Sequence, residues 1–279
     1  MEVQALLARS LQFADDGDWA TAAEVLREQL SDFEEDAAVH CWLAVAEREL
    51  GQEGVAYELF KKALSLGPED PTVLATIGNG IAAFDDPEAV DALKNAALIG
   101  PDLSLTRLLY GAYLSREGFH EWAIEQLIAA REIDSSDPQI AYEMGVAYAL
   151  SGDIDRATDV MAEAVTLDPD DGWTRVVFGL LLLEDGRAEE ASGELSEGAH
   201  RLPEDIEAQM LAALAAAAVG LDDIAYEMVE RGRMRAADGD LALVSSVEEH
   251  VDSGADVSAI FLAEDVAPDA LRSRLLERP

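Results

Sequence analysis

A turn residue returns along this chain on a fixed beat. Gly17, Gly51, Asp85, Gly118, Gly152, Gly186, Gly220 and Gly254 stand 34 residues apart at every step but one, which is 33. Two further series keep the same time. Ala22, Ala56, Ala89, Ala123, Ala157, Ala191, Ala225 and Ala259 form one; Ser10, Ala44, Gly78, Gly111, Gly145, Gly179 and Ala213 form the other, until Val247 breaks it. A glycine just past a helix end takes positive φ without steric cost, so the first series marks turns. The small residues mark places where two helices cross closely. The unit is therefore a pair of short helices joined by a turn, and Pro138–Asp171 is its clearest copy. There Ala141, Met144, Gly145 and Tyr148 form a stripe on the first helix, and Ala157, Met161, Ala164 and Val165 form one on the second. Neither helix buries its stripe alone, whereas stacked copies cover one another.

Pro68, Pro101, Pro169 and Pro203, with Ser135 standing in once, end the second helix of successive copies, because proline cannot continue a helix. Asp70-Pro71 and Asp137-Pro138 start the next copy, aspartate as N-cap and proline as first helical residue. In the second copy Trp42, Leu43, Ala44, Glu47, Gly51, Ala56, Phe60, Ala63 and Pro68 resemble the tetratricopeptide repeat (TPR) pattern. The resemblance implies an all-α fold, a right-handed α-solenoid of helix hairpins. It assigns residues 1–239 to seven repeats and 240–279 to a degenerate eighth repeat and a capping helix, in one continuous solenoid. The chain departs from the pattern at Asp85, at Gly198 and Gly232 where the second helix usually carries alanine, and after the first repeat, which lacks the proline.

The segment Trp173–Gly186 is apolar nearly all round, which predicts a helix covered on every side. Toward the end, Asp240–Ser253 predicts a helix carrying Leu241, Val244, Val247, His250 and Val251, and Asp256–Ala263 a short partner helix. Pro268–Arg278 predicts the cap, with Leu271, Leu275 and Leu276 on one face and Arg272, Arg274 and Arg278 elsewhere. Its expected task is to cover the apolar surface that the last repeat would leave bare.

The chemistry-bearing residues do not converge. His40, His120, His200 and His250 fall at different places within their repeats, and no HExxH, CxxC or GxSxG spacing occurs. Glu248, Glu249, His250 and Asp252 are the nearest approach to a ligand cluster, yet adjacent residues point round a helix in different directions. The expectation is a non-enzyme without cofactor or metal; a metal-dependent or enzymatic role centred on His250 is the weakest alternative. Three arginines, Arg231, Arg233 and Arg235, read as cations at a helix C-terminus paired with nearby carboxylates. Cys41 is the only cysteine, the N-terminal stretch lacks a basic region followed by an apolar run, and the apolar run Met210–Val219 is too short to span a bilayer. A cytoplasmic protein is the expectation.

The resemblance places the partner site on the inner face lined by the first helix of each repeat. Carried across residue by residue, the inward positions are Leu7 and Leu11, Cys41 and Val45, Ala75 and Asn79, Leu108 and Ala112, Tyr142 and Val146, Val176 and Leu180, and Met210 and Leu214. Family members that clamp a chaperone's terminal carboxylate use lysine, arginine and asparagine there, and only Asn79 qualifies. An apolar lining suits an amphipathic helix or an extended apolar peptide. The expected function is thus a scaffold holding a protein or peptide partner in an apolar concave groove, with a self-associating homo-oligomer as the alternative. Burial of Tyr142, Val146, Val176 and Leu180 within one chain would close that groove.

Fifty-eight acidic residues against 19 basic ones give a net charge of −39, and only Lys61, Lys62 and Lys94 are lysines. Such a balance repels nucleic acid and anionic membranes. The acid is spread over every repeat, and with arginine outnumbering lysine it resembles proteins of salt-loving archaea. Self-repulsion then grows as screening falls, the Debye length lengthening from about 3 Å at 1 M salt to about 30 Å at 0.01 M. Dialysis into dilute buffer is expected to lower the melting temperature measured by circular dichroism.

Overall fold

The computed structural model describes residues 2–277. Seventeen helices follow one another among these residues, with no strand. They are α1 (Val3–Asp15), α2 (Trp19–Gln29), α3 (Ala37–Glu49), α4 (Glu53–Ser65), α5 (Pro71–Ala82), α6 (Ala89–Ile99), α7 (Ser104–Arg116) and α8 (His120–Ile133). The series continues with α9 (Pro138–Leu150), α10 (Ile154–Leu167), α11 (Gly172–Glu184), α12 (Ala188–Arg201), α13 (Ile206–Ala218), α14 (Asp222–Arg235), α15 (Leu241–Asp252), α16 (Ala255–Phe261) and α17 (Ala267–Leu276). This is the all-α succession of hairpins that the 34-residue beat predicts.

The beat has its predicted cause. All seven glycines of the turn series have positive φ, from 72° at Gly51 to 101° at Gly254. Asp85 holds the eighth place with φ 54°, the only non-glycine in that region among the described residues. Aspartates start helix after helix: Asp18, Asp36, Asp70, Asp137, Asp153, Asp171 and Asp205 each accept a backbone N–H of the first turn. Part of the acidic excess is therefore helix-capping machinery, worth about 1 kcal/mol per cap.

Two compact units are present, Met1–Leu114 with Glu125–Ile133 and Ser115–Ile124 with Asp134–Pro279. In the first, α1 to α6 pair in order and each hairpin packs on the next. Phe60, Ile77 and Ile81 are fully buried in one cluster, and Leu6, Leu26 and Leu43 in another. In the second unit α9/α10, α11/α12 and α13/α14 pair likewise. Small residues line the crossings: Ala157, Ala191 and Ala225 are all 0% exposed. Gly198 also gains its reason here. A Cβ on it would stand 2.7 Å from Val176 Cγ2 and 3.0 Å from the Gly172 carbonyl oxygen, so α11 and α12 touch where alanine would not fit.

The eighth hairpin departs from its template. Ala259 is only half-buried, and Ser258 takes the buried place, donating to the His250 carbonyl at 3.0 Å. Helix α16 packs more on α13 than on its partner α15. It then runs into α17 through a π-helical turn, Leu262–Val266, rather than stopping. Pro268 explains that turn: it lacks an N–H and its ring crowds the carbonyl four residues back, and widening the helix relieves both problems.

Because nothing lies within 4 Å of a Cβ built on Gly152, substitution there tests backbone conformation alone. Gly152→Ala is expected to cost about 1–2 kcal/mol of stability. The reciprocal change, Asp85→Gly, relieves that strain and adds glycine's unfolded-state entropy of about 0.5–1 kcal/mol, leaving a net gain of up to about 1 kcal/mol. Thermal melts of both variants check the opposed signs.

Candidate functional site

Neighbouring first helices of the second unit, α9, α11 and α13, present the predicted inner positions Tyr142, Val146, Val176, Leu180, Met210 and Leu214. None of them is more than 5% exposed. In the first unit Cys41, Ala75, Leu108 and Ala112 are buried, while Leu7, Leu11, Val45 and Asn79 are half-buried. Cys41 lies 3.8 Å from the Val73 carbonyl, and burial pushes its thiol well above the ordinary range, which leaves it neutral and inert.

The expectation of an open groove is corrected in the second unit by what lies against the wall. Helix α17 packs on α11 and α9, and α16 with the π-turn packs on α13. The chain's own last segment thus folds back across the first helices of earlier hairpins instead of closing the end of the stack. The all-round apolar character of α11 follows: seven consecutive residues, Val176 to Leu182, are buried. The same holds from Ala208 to Ala217 in α13.

The seated face of α17 comprises Ala267, Ala270, Leu271, Arg274 and Leu275, spaced at three and four residues. Leu276, expected beside Leu271 and Leu275, is 42% exposed because it falls one residue round the helix. Arg274, expected on the polar side, is 3% exposed, and Arg278 lies outside the described residues. Arg274 Nη2 donates to Asp205 Oδ2 at 2.8 Å and to Glu207 Oε2 at 2.9 Å, and its guanidinium lies 4.5 Å from the centre of the Trp173 ring. Trp173 Nε1 in turn donates to the Tyr142 hydroxyl at 2.9 Å. Burial first, and then the Glu143 carboxylate, push the Tyr142 phenol upward, so that it stays protonated and serves as acceptor. A single arginine is tied in this way to all three wall helices. Asp205 serves twice, capping α13 through Oδ1 at 2.9 Å from Ala208 N while its other oxygen holds Arg274.

A second buried charge stands at the foot of the wall. Arg116 and Glu143 form a bidentate pair at 2.7 and 3.1 Å, with side chains 3% and 1% exposed. Arg116 Nε also donates to the Glu277 carbonyl at 3.0 Å, which fixes the end of α17. The fit along the wall is incomplete. A cavity of about 300 Å³ remains beside the tail, between Leu180, Leu183, Ala263, Pro268 and Leu271.

Trp173, Asp205, Glu207, Arg116, Glu143 and Arg274 are absent from the expected site. Glu143 carries a readable signal, a lone charge inside the apolar run Tyr142–Ala149; the others do not. The remaining candidates resolve as local structure. Arg231 pairs with Glu227, Arg233 with Glu230 and Glu248, and Arg235 with Glu204. His250 places Nδ1 2.7 Å from the Ser246 carbonyl and stacks on Phe261, while Asp252 accepts from Tyr226. Glu248 and Asp252 thus face other partners, and the described residues contain no cluster of three or more groups that could hold a metal. No helix of the described residues is long and apolar enough to cross a membrane.

Known proteins share this architecture. A chain in the crystal structure of the APC/C hetero-tetramer Cut9–Hcn1 superposes with a TM-score of 0.70 at 16% identity, over 87% of this chain and 48% of that one. A tetratricopeptide repeat protein from Parabacteroides merdae superposes at 0.60 and 14% identity, over 91% of this chain and 98% of that one. At these identities the likeness is one of fold. In sequence, anaphase-promoting complex subunit 3 of Dictyostelium discoideum is 26% identical over 127 residues, 44% of this chain. The chain spans only 13% of that relative's length and about half of Cut9's. Tetratricopeptide repeat models match residues 7–71, 113–172 and 148–215, together more than half of the sequence. The repeat beat, the hairpins and these matches agree: the chain belongs to the tetratricopeptide repeat family.

Proposed function

We propose that this protein is a non-catalytic interaction scaffold whose α9–α11–α13 wall receives an amphipathic helix of a protein partner. The observation that carries the reading is the seated α17. A wall that takes a helix of three-and-four spacing, reads its arginine with two carboxylates and an indole, and leaves a cavity beside it has the properties of a receptor for such a helix. Tyr142, Val146, Val176, Leu180, Met210 and Leu214 are then the partner-facing residues of the second unit. Cys41, Val45, Asn79, Leu108 and Ala112 are the corresponding positions of the first. The Cut9–Hcn1 hetero-tetramer is a case in which a protein of this fold assembles with another protein.

On this reading α17 is a resident occupant that a partner helix displaces. A helix tethered to its own site competes at an effective concentration of order millimolar, so exchange favours partners that bind tightly or are themselves abundant. Donation of α17 to a second copy would give a homo-oligomer by the same contacts.

The test is binding in trans. Leu271→Glu combined with Leu275→Glu places two charges on the seated face and is expected to release α17, seen as fast hydrogen exchange over residues 267–276. A labelled peptide of sequence APDALRSRLLE is then expected to bind this variant roughly a hundredfold more tightly than it binds the parent, measured by fluorescence anisotropy. Adding Tyr142→Glu should abolish that binding. A variant with α17 released that still fails to bind the peptide would refute the receptor reading. Arg274→Ala alone is expected to weaken seating by on the order of 2 kcal/mol, since it removes a charge-assisted pair and a partly desolvated cation–π contact.

A further inference from the structure

The first unit holds a cavity of about 300 Å³ whose charged groups are both cations. Lys94 and Leu98 of α6, Arg107 and Tyr110 of α7, Gln126 of α8 and the intervening Pro101 line it.

The repeats supply an internal reference for this cavity. Two repeats later the positions of Pro101, Arg107 and Gln126 are held by Pro169, Arg175 and Glu194. Arg175 Nε donates to the Pro169 carbonyl at 3.0 Å, and its Nη1 to the Glu194 carboxylate at 2.6 Å. Arg107 repeats the arrangement, with Nε 3.4 Å from the Pro101 carbonyl and Nη1 2.7 Å from Oε1 of Gln126. The amide satisfies the hydrogen bond but does not cancel the charge. Lys94 adds a second cation where the equivalent residue two repeats on is Ala162. It makes no ion pair among the described residues. Many other arginines face carboxylates, as in Arg27–Glu47, Arg187–Glu190 and Arg201–Glu197. In a chain of net charge −39, this cavity brings two cations together with no carboxylate in its lining.

The remaining lining defines the ligand. Burial pushes the Tyr110 phenol up, which keeps it a donor. Leu98, 68% exposed at the rim, offers an apolar surface to a short aliphatic stem. Neither Lys94 nor Arg107 belongs to the inner positions of the first helices.

We propose that this cavity binds a carboxylate on a short aliphatic stem, which brings to Lys94 and Arg107 the negative charge that Glu194 supplies in the sister hairpin and that the amide of Gln126 lacks. The acid is either free or the side chain of a partner protein. Calorimetric titration of the full chain at constant ionic strength uses two probes, glutarate and an N-acetylated, C-amidated tripeptide with a central glutamate. Saturable binding of glutarate assigns a free acid, and saturation by the peptide alone assigns a partner's side chain. In either case Gln126→Glu, which supplies the missing carboxylate from within the chain, is expected to lower the affinity about tenfold or more while leaving the melting temperature unchanged or raised. Lys94→Gln on the exposed face of α6 should weaken binding severalfold, and Lys62→Gln, outside the cavity, should not. Absence of saturation with both probes, or binding that survives Gln126→Glu, overturns the assignment.

Discussion

Each hairpin of this protein carries more apolar surface than its two helices can cover between them. Everything else answers that surplus. Small residues let the paired helices close on one another, the next hairpin covers what is left, and the glycine beat keeps every copy in the register this requires. The first helices of a hairpin stack keep one further side to be covered. In the second unit that side is met by α16 and α17, which turn back over α13, α11 and α9. A helix apolar on all sides, such as α11, is stable only because a later segment of the same chain completes its surroundings.

Charge is used in two ways on this framework. Much of the acid is distributed over exposed faces, but aspartates hold backbone N–H groups at helix starts, and Asp205 and Glu207 also hold Arg274. A buried arginine needs carboxylates or other acceptors close by, because a desolvated charge without them costs several kcal/mol. Arg274 has two carboxylates and an aromatic face, and Arg116 has Glu143 and a main-chain carbonyl. These demanding groups fix the position and direction of α17 far more narrowly than Leu271 and Leu275 could, since apolar contact is non-directional. The cavity beside the tail shows the complementary weakness: the apolar part of the interface is not packed to completion.

The repeats also make the chain its own control. Arg107 and Arg175 occupy the same place in two hairpins and make the same two contacts, yet one meets an amide and the other a carboxylate. Such a difference between equivalent positions carries more information than either site taken alone, because the fold around both is common.

The sequence by itself determined the helices, their pairing and their turns. These depend on local rules, periodic apolar positions, aspartate caps and glycines at positive φ, each legible within a few residues. Gly198 and Asp85, which break the pattern in sequence, are accounted for by a close helix crossing and by a left-handed turn. The inner positions Tyr142, Val146, Val176 and Leu180 rest instead on the resemblance to the tetratricopeptide pattern, since no local rule says which side of a first helix faces inward. Only the tertiary structure decided what stands against that wall. Whether α17 ends the stack or folds back over it turns on Arg274 finding Asp205, Glu207 and Trp173 across a long stretch of chain. No local pattern encodes the meeting of residues so far apart, because it is set by where the intervening hairpins carry the backbone.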